Sequence, residues 1–129
     1  MTAPDWLNEI VRGFGRQMGL QNFGLNDRGA AGVTFENGIA VKLEYAAETL
    51  IVRACVPCGT DAASLRRLLQ AAHPGAVREG VVLRAARIDR TGEGFFAARI
   101  PERAVTVTEV ERVFRIVWEA AVAFRRTAA

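Results

Sequence analysis

Gly32–Val56 reads G-V-T-F-E-N-G-I-A-V-K-L-E-Y-A-A-E-T-L-I-V-R-A-C-V. Val33 and Phe35 alternate with Thr34 and Glu36. Ile39, Val41, Leu43 and Tyr45 alternate with Ala40, Lys42 and Glu44. A period of two puts one set on a buried face and the other towards water. Asn37-Gly38 between these runs predicts a hairpin with a type I′ turn, which needs positive φ at both central residues. After Ala46-Ala47-Glu48 a third run begins. In it Leu50, Val52, Ala54 and Val56 join the buried set, and Ile51, Arg53 and Cys55 face away. The stretch is therefore an antiparallel meander of three strands with one apolar face. The rest of the chain reads as cover for that face or as partners for its edges.

Working outward, residues 5–18 read as a helix. Trp6, Leu7, Ile10, Val11, Phe14 and Met18 form one stripe, with Asp5 as cap and Gly19 as stop. Gly13 and Gly15 weaken the helix or let another element approach closely. Residues 19–29 are an irregular connection carrying Phe23 and Leu25, with a turn at Asn26-Asp27-Arg28-Gly29. Asp61–His73 is a second helix with the stripe Leu65, Leu68, Leu69 and Ala72. Thr60 or Asp61 caps it and Pro74-Gly75 ends it. Residues 80–89 form a strand that is apolar on both faces: Val81, Leu83 and Ala85 on one, Val82, Ala86 and Ile88 on the other. Two apolar faces suggest a second subunit against one of them. Phe95–Ile100 is a further strand, stopped by Pro101, with Phe95 and Phe96 on opposite faces. A final helix starts at Thr106 or Thr108, and Thr108-Glu-Val-Glu111 has capping-box spacing. Its stripe is Val110, Val113, Phe114, Val117, Trp118, Ala121 and Phe124. The order is α-β-β-β-α-β-β-α, an α+β fold with a twisted antiparallel sheet covered by helices.

With 129 residues, half of them hydrophobic, the chain reads as one domain, residues 1–129. No apolar run approaches the roughly 20 residues of a membrane span. The start lacks the basic and apolar segments of a secretory signal, so the expected location is cytoplasmic. Net charge is +3 and the pI about 9.5. Of the 17 basic residues only Lys42 is lysine, and the arginines are scattered rather than blocked. A dispersed surplus of this size reads as a solvated surface, so no nucleic-acid partner is expected.

Chemistry is not legible. Cys55-Val-Pro-Cys58 ends a strand instead of opening a helix, and lacks the surroundings of a redox motif. A zinc site needs two further ligands, and His73 is the single histidine. Gly13-Phe-Gly15 lacks the rest of a phosphate loop. Ser64, the only serine, lies inside a helix. Glu36, Glu44 and Glu48 share a polar face with Lys42. No catalytic residue, cofactor or metal is expected, and the chain does not read as an enzyme.

The chain resembles the class I type III secretion chaperones, the Tir chaperone family. The resemblance rests on G-V-T-F-E-N-G-I-A-V-K-L-E-Y at 32–45, on G-L-x-x-x-x-L-N-D-R-G at 19–29, and on the element order with Trp118 in the last helix. It covers nearly the whole chain. It implies a cytosolic homodimer that binds the N-terminal region of a secreted effector in extended form and keeps it competent for export, without cofactor or chemistry. The implied dimer contact uses Leu65, Leu68 and Leu69 with Val82, Arg84 and Ala86. The implied effector contacts are Leu7, Val11, Phe14, Phe23, Leu25 and Phe35. The family is commonly acidic, so a basic member implies a more acidic effector segment. The alternatives are a fold relative acting as a regulatory or structural dimer without a secreted client, and a nucleic-acid binder using the arginine surplus.

Overall fold

The computed structural model describes residues 2–72, 77–78 and 80–128. The elements are α1 (Asp5–Gln17), β1 (Ala30–Thr34), β2 (Ala40–Ala46), β3 (Thr49–Pro57), α2 (Ala62–Ala71), β4 (Val77–Arg78), β5 (Val81–Val82), β6 (Arg84–Ile88), β7 (Glu93–Pro101) and α3 (Val107–Ala128). A short 3-10 turn, Glu102–Ala104, joins β7 to α3. Five strands make one antiparallel sheet in the order β1-β2-β3-β7-β6. β4 and β5 form a separate two-residue ribbon. The expected α+β order stands, with that ribbon added. The strand expected over 80–89 breaks at Leu83, where a buried side chain separates β5 from β6. His73 and Pro74-Gly75 lie outside the described residues.

Alternation sets the faces as the sequence implied. Val41, Leu43, Tyr45, Leu50, Val52, Ala54, Val56, Phe96, Ala98 and Ile100 line the inner face and are buried. α3 lies across β3 and β7 on this face, and α1 packs against α3. Val110, Val113, Val117, Ala121 and Phe124 of α3 join the same core. Phe14 meets Phe114 edge-on at 5.4 Å, and Phe96 meets Phe124 at 5.9 Å. Such pairs contribute about 1 kcal/mol beyond the area they bury. α2 packs beside β6, and only its Leu68 is fully buried.

The caps differ in detail from expectation. Asp61 caps α2 by accepting from the Ser64 amide at 3.2 Å. The Ser64 contacts hold the Asp61 carboxyl below its ordinary pKa. Asp5 does not cap α1; Pro4 occupies that position and its carbonyl accepts from Leu7 and Asn8. The expected box at Thr108 is also unused. Thr106 Oγ1 accepts from the Glu109 amide at 3.0 Å, which places Thr108 inside the first turn. Glu109 is engaged by Arg112 instead, and that bond lowers its pKa.

The connection 19–29 is clamped to α1. Asn8 accepts from the Leu25 amide at 2.8 Å and donates to the Leu25 carbonyl at 3.4 Å. Gly15 leaves room for Phe23: a Cβ there would lie 2.7 Å from the phenylalanine Cβ.

The first hairpin does not take its expected turn type. At Asn37-Gly38 only Gly38 has positive φ (+85°), and its amide donates to the Phe35 carbonyl at 2.9 Å. Phe35 and Ile39 close a three-residue loop with glycine in the left-handed position, not a type I′ turn. Gly38 alone supplies the bulge. The two-residue turn is Ala47-Glu48, with φ of 52° and 57°, between the paired residues Ala46 and Thr49. Two non-glycine residues in that region store strain. The turn is held from outside, since the Glu48 carbonyl accepts from the Glu102 amide at 3.0 Å. The Tyr45 hydroxyl donates to Glu102 Oε1 in the same clip.

Replacing Ala47-Glu48 by Asn-Gly is expected to raise unfolding stability by about 1 kcal/mol, the left-handed penalty less the glycine entropy. Chemical denaturation measures it, and an unchanged or lower midpoint refutes the strain. Tyr45 is the single tyrosine, so its titration is directly visible at 295 nm. Its bond to Glu102, then burial, then the charges of Glu102 and Glu48 push its pKa up to about 12. A raised phenol pKa means stability that is complete below the ordinary value of 10 and is lost as pH rises towards 12. Glu102→Gln should return the absorbance midpoint towards 10; a wild-type midpoint already near 10 contradicts the clip.

Candidate functional site

All three helices lie on the inner side of the sheet, so the outer face is bare among the described residues. The strand register sets its rows. Lys42, Arg53, Ala97 and Arg84 lie across four strands. Glu44, Ile51 and Arg99 form the row on one side. Ala40, Cys55, Phe95 and Ala86 form the row on the other. Ile51, Phe95 and Ala97 are half-buried, and Arg84, Ala86 and Arg99 are exposed. A groove of about 700 Å³ opens on this surface and reaches α3, lined by Ile51, Arg53, Val82, Arg84, Phe95 and Arg99 and by Glu109, Arg112 and Val113 of α3. That size is within the range of ligand-accepting clefts.

Arg53 sits at its centre. Its guanidinium lies over the Phe95 ring, 5.4 Å from the centroid, and Nη2 is 3.3 Å from Glu44 Oε1. Its Nε is buried with no hydrogen-bond partner. A buried N–H without an acceptor is costly and uncommon in folded proteins.

The sheet also has two open edges. Among the described residues β1 pairs only with β2, and β6 only with β7. An unpaired strand edge is a template for another chain. Phe35 stands at the end of β1, half-buried, edge-on to Trp118 at 5.0 Å. Two further large apolar side chains stand exposed: Leu69 of α2, 47% exposed, and Val82 of β5, 53% exposed. Trp6 and Met18 are the exposed large apolar residues of α1.

The residues expected to meet an effector require correction. Leu7, Val11 and Phe14 are 0–1% exposed and Phe23 and Leu25 are 8% exposed. All five are core in this subunit, because the helical stripe that marked them faces α3. Phe35 alone keeps accessible surface. Of the residues expected at a dimer contact, Leu68 is wholly buried and Leu65 half-buried. Leu69 and Val82 are exposed, and Arg84 and Ala86 belong to the outer sheet face. The groove itself was not identified from sequence. Its signal was present in the parity of Ile51, Arg53 and Phe95, which puts them opposite the core.

No group of three His, Cys, Asp or Glu side chains placed to hold a metal occurs among the described residues. Cys55 and Cys58 are free and buried. Burial pushes the Cys55 thiol pKa up, which disfavours the reactive thiolate. The Cys58 thiol donates to the Ser64 carbonyl at 3.5 Å. Among the described residues no helix is long and apolar enough to cross a membrane.

Compared by sequence, the chain matches no protein-family model and no curated protein. Compared by fold, it is similar to a chain of the ExsC–ExsE complex, with a TM-score of 0.72 at 20% identity over 98% of this chain and 96% of that one. It is similar to a chain of the HopA1–SchA chaperone–effector complex, with a TM-score of 0.71 at 21% identity over 96% and 99%. It is also similar to the Yersinia pestis type III secretion chaperone structure of SycH with a stable fragment of YscM2, with a TM-score of 0.68 at 16% identity over 92% and 98%. The chain thus has the fold of type III secretion chaperones, end to end.

Proposed function

We propose that the protein is a cytoplasmic chaperone that binds the N-terminal region of a type III secreted effector and holds it unfolded for export. The observation that carries this reading is the whole-length fold, which is similar to that of a chain in a chaperone–effector complex and of a type III secretion chaperone structure. The bare surfaces support it: an open β1 edge, the half-buried Ile51, Phe95 and Ala97 of the outer sheet face, and the exposed Leu69 and Val82. A strand edge offers main-chain hydrogen bonds to any extended segment, and neighbouring side-chain pockets select which segment stays. Phe35 and Val33 are the large half-buried apolar side chains along the β1 edge, with Ala31 beside them. The action is binding, with no bond made or broken and no cofactor.

In this reading the working form is a homodimer. Leu69 and Val82 carry its contact, with Leu65 at the margin. Exposed aliphatic side chains are costly to leave in water, and burial removes about 25 cal/mol per Å² of that cost. Arg84 and Ala86, exposed on the strand after Val82, extend this contact in the same reading.

Two outcomes are expected. Sedimentation at micromolar concentration should give a dimer, and Leu69→Asp with Val82→Asp should give a folded monomer with unchanged circular dichroism. A monomeric wild type contradicts the dimer. Purification from the native host should recover a secreted protein bound through its N-terminal segment, without added nucleotide. Recovery of the dimer alone favours a regulatory or structural role without a client.

A further inference from the structure

We propose, resting on the chaperone reading, that Arg87 of β6 is a positioning residue that latches α2 where the subunit contact needs it. α2 is the most lightly held of the three helices. Only its Leu68 is fully buried, seated over Gly94 of β7, where a Cβ would lie 3.0 Å from the leucine Cδ2. Beside it, the Arg67 guanidinium lies over the Phe124 ring, 4.8 Å from the centroid. Both supports belong to the second half of the helix.

Arg87 holds the start. Its Nη1 donates to the Gly59 carbonyl at 3.1 Å and to the Asp61 carbonyl at 2.7 Å. Its Nε donates to Asp89 Oδ1 at 2.9 Å, and Nη2 lies 2.8 Å from the same oxygen. The Arg87 side chain is 7% exposed and that of Asp89 80%. The guanidinium has therefore left water mainly for two main-chain carbonyls, while its ionic partner stays in solvent. Arginine presents its donors in one rigid plane, so these bonds fix direction as well as distance.

The bonds do nothing that α2 needs for its own sake. A helix start lacks acceptors for its N–H groups, not donors for its carbonyls. The Asp61 carbonyl already accepts from the Leu65 amide at 3.2 Å. Asp61 is the N-cap, so the cation stands at the helix end where the dipole favours an anion. What Arg87 adds is attachment to the sheet. The loop before α2 is shaped for it: the Cys58 and Gly59 amides donate to the Gly92 carbonyl at 2.8 and 3.0 Å, and Gly59 has a φ of +105°. Without the latch the first half of α2 can swing about Leu68, and Leu65 and Leu69 lose their fixed relation to Val82. Cys58 lies under that half, 7% exposed, with its thiol on the Ser64 carbonyl. Its accessibility therefore reports the latch.

The test uses the full chain carrying Cys55→Ala, which leaves Cys58 as its single thiol. Arg87→Met keeps the apolar stem and removes the donors. It should speed labelling of Cys58 by an aromatic disulfide reagent at least about tenfold, through local opening of α2. In sedimentation it should weaken the dimer at least about tenfold as well. Below the unfolding transition its labelling rate should be nearly independent of urea, the mark of a small local opening. An Arg87→Met chain that is unfolded in water, or labels at a rate climbing with urea as steeply as global unfolding, has lost the whole fold and overturns the proposal. Asp89→Ala leaves the carbonyl bonds in place and should keep labelling within about threefold, since an exposed ion pair contributes little. A rise as large as that of Arg87→Met assigns the effect to the ion pair and overturns the latch. Cys58 equally protected with and without Arg87 also overturns it and leaves the dimer reading standing. So does a Cys58 that opens while the dimer stays as tight as before. A monomeric wild type removes the contact itself, and with it the purpose of the latch, even where labelling shows the attachment.

Discussion

The packing of α3 against the inner face of β3 and β7 organises the molecule. A sheet with alternating side chains must bury one face, and burial is the largest favourable contribution to folding. Here one helix of 22 residues supplies most of the cover. α1 then sits on α3 instead of on the sheet, and the connection 19–29 is tied to α1 through Asn8. The C-terminal part of α3 reaches the first hairpin, where Phe35 meets Trp118 and the Arg125 guanidinium approaches Gly38. Removing that contact leaves each of the other elements without its support.

The cost of this arrangement is asymmetry. With every helix on one side, the second face has, among the described residues, little but its own side chains to cover it. Arg53 shields Phe95 by lying over the ring, and Cys55 is buried between its neighbours. That self-cover is partial. Ile51, Phe95 and Ala97 stay half-accessible, and the two outer strands keep an unpaired side. A monomer built only for stability would hide such surface; a polypeptide binder needs it.

Much of this was legible in the chain. The alternation from Val33 to Val56 gave the meander and its buried face, and Phe95-Phe96 correctly divided between the two sides. Turn chemistry was less legible. Asn37-Gly38 is the stronger local signal for a type I′ turn, yet strand pairing places that turn at Ala47-Glu48, where contacts from Glu102 hold it. The break at Leu83 was hidden because Val81, Leu83 and Ala85 keep one parity through it. The candidate site was legible only in part. A stripe such as Leu7, Val11 and Phe14 signals that a helix has an apolar side, but not whether that side meets its own subunit or another molecule. Here it meets its own. The outer groove depends on residues from four strands, and their juxtaposition exists only in the register.

The amino-acid usage of that outer surface has a practical corollary. Lys42 is the sole lysine of the chain, and it is exposed beside Arg53 in the row that crosses to Arg84. Apart from the α-amino group, amine-directed chemistry therefore has one address on the whole molecule. A dye or crosslinker attached there marks the bare side of the sheet without mutagenesis, and its protection from modification would report occupancy of that side in a mixture of proteins.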